Sequence, residues 1–85
     1  MARLTPRPVV VEWHDSAHIS PGDWVDRAHL GDVTPCAVVT AGWLVAQSKA
    51  VIVIAQSLSE AGDATGVFVI PRCNVVAIRK LKRPK

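Results

Sequence analysis

His14 and His18 are four residues apart with Asp15 between them, and His29, Cys36 and Cys73 follow at longer intervals. On a helix, two histidines at that spacing would share a face and could hold zinc, with Asp15 or a distant cysteine completing the set. His14, however, closes a stretch with the alternation of a strand, where the two rings would not converge. The cysteines also lack the C-x-x-C spacing of a structural site. No metal ligands and no cofactor are therefore expected. Nucleophilic chemistry has its ingredients: Arg72 beside Cys73 is a setting that can activate a thiol. Yet the apolar context VIPRCNVV fits a packed thiol better, and the chain contains neither a G-x-S-x-G elbow nor a glycine-rich phosphate loop. No catalytic residue is assigned, and the chain is read as a non-enzyme.

Binding chemistry is better represented. All seven acids lie between Glu12 and Asp63, where the only bases are Arg27 and Lys49, and the remaining bases sit at the two ends. Arg72, Arg79, Lys80 and the tail Lys82–Lys85 could neutralise phosphates, each contact adding salt-dependent affinity. The plainer reading of RKLKRPK is a solvated, frayed end. Trp24 lies in a polar loop, the usual place for a binding residue, and could stack on a base, a nucleotide or a partner's side chain; a structural staple is the competing role. The candidate ligand-binding set is Trp24, Arg72, Arg79 and Lys80.

The elements that must position these residues are organised around CAVVTAGWLVAQSKAVIVIAQSL, residues 36–58. Gln47, Ser48 and Lys49 split it into two apolar runs, so a membrane span is excluded and a β-hairpin is expected. Its β-branched residues suit a pleated surface, and Gly42 marks a bulge or sharp bend. Neither face of the first run is polar, so both need cover, and a homo-oligomer with Trp43, Leu44 and Val53 at the interface is expected.

Residues 1–7 read as a flexible basic arm. Val9, Val11 and Trp13 then alternate with Val10, Glu12 and His14, the period of a half-buried strand. In the long connection to Pro35, Ser20-Pro21-Gly22-Asp23 has the form of a helix start. A short helix to about Leu30 would turn Trp24 with Ala28, or Val25 with His29, inward and end at Gly31 in a left-handed conformation. VFVI marks a fourth strand, Arg72-Cys73-Asn74 a 3₁₀ turn, and 75–80 the last strand. The expected fold is all-β: a small five-stranded SH3-like or Sm-like barrel over residues 8–81, with strands near 8–14, 36–46, 50–57, 66–71 and 75–80. Eighty-five residues leave room for one such domain. No signal-peptide run precedes Glu12, so the expected location is the cytoplasm. Cys36 and Cys73 should then be reduced and buried, a bridge between them being the alternative.

The segments VVVEWHDS, AGWLVAQSKAVIVIAQSL and VFVIPRCNVVAIRKL together resemble small proteins of tailed bacteriophages and prophages. Their shared pattern is Trp-x-Asp near the start, Gly-Trp opening the middle hairpin and Ile-Pro before the final strand. The likeness covers most of residues 9–81; Gln47-Ser48-Lys49 departs from the acidic turn of that pattern. The resemblance implies an intracellular phage accessory protein that acts by binding, in the host cytoplasm. Two functions follow as expectations. One is an oligomeric barrel taking an anionic ligand, nucleic acid or nucleotide. The other is a protein-binding accessory or inhibitor, including an anti-defence protein, that uses its acidic loop or an open strand edge against a host protein. A minor structural role in the virion is third.

Overall fold

The computed structural model describes residues 2–17, 22 and 24–81, with side chains from Thr5 onward. The protein is all-β. Its strands are β1 (Ala2–Asp15), β2 (Cys36–Gln47), β3 (Val51–Leu58), β4 (Ala64–Pro71) and β5 (Val75–Lys80), with 3₁₀ turns at Arg27–Asp32 and Arg72–Asn74. They form one antiparallel sheet in the order β4-β3-β2-β1-β5. Strand pairing does not close this sheet, so β4 and β5 are its two edges and the barrel closure expected from the sequence is not part of the ladder.

Alternation sets the inner face. Val9 and Val11 of β1 are fully buried, whereas Val10 and Glu12 between them are half-buried. With Leu44, Ile52, Ile54 and Ile70 they make the core, against which Trp13, Val75 and Ile78 pack. Each such aliphatic side chain taken from water contributes about 1.5–3 kcal/mol. The Trp13 indole N–H donates to Thr40 Oγ1 at 3.0 Å, which gives the buried Thr40 hydroxyl a partner. Gly42 serves close approach. A Cβ there would lie 2.6 Å from Ile54 Cγ2 and 2.7 Å from the Ala55 carbonyl oxygen, and the β2–β3 register shifts just beyond it, between Leu44 and Ala46.

The hairpin turn falls at the polar break. Ser48 Oγ accepts from the backbone N–H groups of Ala50 and Val51 at 3.1 and 3.2 Å. Pro71, which cannot donate to a ladder, ends an edge strand, and Arg72 N–H donates to Ala50 O at 2.9 Å.

Several expectations need correction. Residues 2–7, read as an arm, are the first half of β1, where Ala2 pairs with Gln47 and Arg7 with Leu44. The expected start Ser20-Pro21 and residue 23 lie outside the described residues, as do His18 and the tail 82–85. The 3₁₀ turn starts later, at Arg27. Asp26 caps it, its carboxylate accepting from Ala28 N–H at 3.0 Å, because a short acceptor just before the turn satisfies a free donor there. Gly31 has no left-handed φ, and the turn closes at Val33 in extended conformation. Trp24, Val25, Ala28 and His29, expected to face inward, are all exposed. Cys36 and Cys73 are free and exposed rather than buried: Cys36 opens β2 beyond the core residues, and Cys73 lies in the short 3₁₀ turn, which contains no buried residue.

Candidate functional site

The sheet builds two regions of possible contact with other molecules. Asp15 pairs with Cys36 and so closes the base of the connection between β1 and β2. From 24 to 35 every residue of that excursion is exposed, and its 3₁₀ turn contains no buried residue. Trp24 is 104% exposed, and Val25, Leu30 and Val33 are exposed with it. Asp26 and Asp32 bracket the turn, and His29 Nε2 lies 3.7 Å from Asp26 Oδ2 on the surface. The segment leaves four large apolar side chains uncovered, with Asp26, Arg27 and Asp32 among them.

The second region is the edge strand β4. Val67, Phe68 and Val69 are 51%, 45% and 60% exposed; being consecutive, they cover both faces of the strand. At the other edge Val76 is 61% exposed. With Trp13, Val38 and Val39 it lines an open apolar hollow of about 230 Å³ that also touches Glu12 and His14.

The candidate ligand-binding residues are placed apart. Arg72 reaches the β2–β3 turn: its Nε donates to Ser48 O at 2.8 Å and its terminal nitrogen to Gln47 Oε1. Arg79, which pairs with Val10 on β1, forms an ion pair with Glu12. Lys80 is exposed at the end of β5. Each arginine is committed to a different part of the sheet, and Trp24 bonds to neither. Of the proposed interface residues, Leu44 is in the core and Val53 is buried, because β3 lies between β2 and β4 in the sheet; Trp43 is half-buried.

A more polar hollow of about 350 Å³ gathers His14, Asp15, Ser16, Cys73 and Asn74 beside Pro35, Val75 and Val76. There the Cys73 thiol donates to Asn74 Oδ1 at 3.2 Å. Among the described residues no hydrogen bond joins His14 to Cys73. No group of three or more His, Cys, Asp or Glu among them could hold a metal ion, and no described helix is long and apolar enough to cross a membrane.

The exposure of Val25, Leu30 and Val33 was not anticipated, although Asp26 ahead of Arg27 carries the capping signal that places the turn. Pro71 does signal that the fourth strand ends or reaches an edge, but which strand lies beside it is a non-local property. No protein-family model, curated protein or solved structure matches the chain.

Proposed function

We propose that this chain is a non-enzymatic accessory protein of the phage type, which binds a host or defence-system protein through the excursion at residues 24–35. The observation that carries the reading is Trp24: the indole is fully exposed on a segment whose Val25, Leu30 and Val33 are also uncovered. A contiguous apolar patch rimmed by charge is the usual mark of a protein-binding surface, and Trp is enriched among residues that anchor such contacts. Asp26 and Asp32 outnumber Arg27 in this segment, and that balance favours a partner with basic groups over phosphates. The anionic-ligand reading is weaker, since the Arg72 and Arg79 guanidiniums already have partners within the protein.

The test is affinity capture from host extract with wild type and Trp24→Ala, washed at low and at high salt. A host protein retained at both salts by wild type and lost by W24A, with an unchanged melting temperature, supports the reading. Retention of oligonucleotide or nucleotide instead, falling steeply with salt and indifferent to W24A, overturns it.

A further inference from the structure

The two edges of the sheet differ in how they are protected. Natural edge strands are blunted by charge, proline or cover, because unpaired main-chain groups recruit other strands. β5 carries Arg79 and Lys80 at its end, whereas β4, ATGVFVIP, carries no charge and has only Pro71 at its very end. β4 nonetheless presents Val67, Phe68 and Val69 to solvent on both faces. An uncharged apolar edge of eight residues is long enough for a full ladder.

We propose that β4 of one copy pairs with β5 of a second copy, so that the sheet continues from molecule to molecule. Each copy carries both edges of one open sheet, and a head-to-tail contact satisfies both in every copy once the assembly closes. A two-fold contact of β4 with β4 would leave every β5 unpaired. The charges agree with an antiparallel arrangement. The turn that leads into β4 holds the exposed acids Glu60 and Asp63, and β5 ends on the exposed base Lys80, beside the Arg79–Glu12 pair, so antiparallel pairing brings the acidic turn of one copy beside Lys80 of the next. Val76 of β5 and Val67 and Val69 of β4 supply apolar contacts on the paired edges. This contact uses a different surface from the excursion at 24–35, so the two readings stand or fall separately.

Sedimentation and native mass spectrometry of the full chain, at micromolar concentration and above, test the proposal with Val69→Lys on β4 and Val76→Lys on β5. Both positions are more than half exposed, so each variant should fold, and its circular dichroism should match wild type. The wild type should run as a closed multiple of the 9.1 kDa protomer and each variant as a single protomer. Mixing the two variants should give a one-to-one pair and nothing larger, since one intact β4 and one intact β5 remain. A monomeric wild type overturns the proposal, as does an assembly broken by V69K but not by V76K, which would show β4 pairing with itself.

Discussion

β3 and β4 are neighbours in one sheet, both apolar and paired residue to residue, yet their central residues differ in exposure. Val53, Ile54 and Ala55 of β3 stand opposite Val69, Phe68 and Val67 of β4. Ile52 and its partner Ile70 both lie in the core, but Val53, Ile54 and Ala55 are between 0 and 8% exposed while Val69, Phe68 and Val67 opposite them are about half open to solvent. The difference lies in what flanks each strand. β3 has a strand on either side, whereas β4 has a strand on one side only and reaches the core through Ile70 alone. Hydrophobic composition therefore states how much cover a strand needs, and only its place in the sheet states whether one molecule provides it.

Breaking the covered side should have the largest effect. Ile54→Ala removes a fully buried side chain from the centre of the core and should cost about 2–5 kcal/mol in chemical denaturation. Phe68→Ala, on the opposite strand, should cost well under half of that in the isolated protomer. Comparable losses for the two variants in a monomeric background would erase the contrast between β3 and β4.

Gly42→Ala comes next. The new methyl meets both Ile54 Cγ2 and the Ala55 backbone oxygen inside 3 Å, and overpacking of this kind costs about 1–3 kcal/mol. Thermal denaturation should show a clear drop in melting temperature. The contrasting position is Gly31, where a Cβ would meet nothing, and Gly31→Ala should leave the melting temperature where it was.

Smaller effects separate the two arginines. Arg72→Ala frees the Ser48 carbonyl and Gln47 at the β2–β3 turn, and a half-buried pair of contacts of this kind is worth about 1–2 kcal/mol. Arg79→Ala removes an exposed ion pair with Glu12 and should change stability by less than about 0.5 kcal/mol. Equal effects on urea unfolding would contradict the assignment of Arg72 to the architecture and of Arg79 to the surface.

The sequence was legible where the signal is local. The hairpin break at Gln47-Ser48-Lys49, the 3₁₀ turn at Arg72–Asn74 and the bounds of β5 follow from turn chemistry and alternation, and all lie where expected. Residues 2–7 were misread because two prolines and two arginines suggest an arm, whereas their strand conformation depends on pairing with residues more than thirty-five positions away. The candidate site was less legible. Arg72 and Arg79 are close in sequence and basic, but their partners Ser48, Gln47 and Glu12 come from other strands, and no local pattern shows that a guanidinium is already engaged. Trp24 was singled out as a loop residue, yet Trp24 with Ala28, or Val25 with His29, was also turned inward, because four-residue spacing presumes an α-helix where the chain forms only a 3₁₀ turn at Arg27–Asp32.

Native-state amide hydrogen exchange, followed along β3 and β4 as protein concentration is raised, tests most directly the claim that β4 lacks cover in one protomer and receives it from the next. Amides of Val53–Ala55 should be strongly protected at every concentration, since they lie inside the sheet. Those amides among Val67–Val69 that point away from β3 should gain protection as concentration rises and lose it in the V69K variant. Protection on β4 that is independent of concentration and unchanged in V69K would contradict the account.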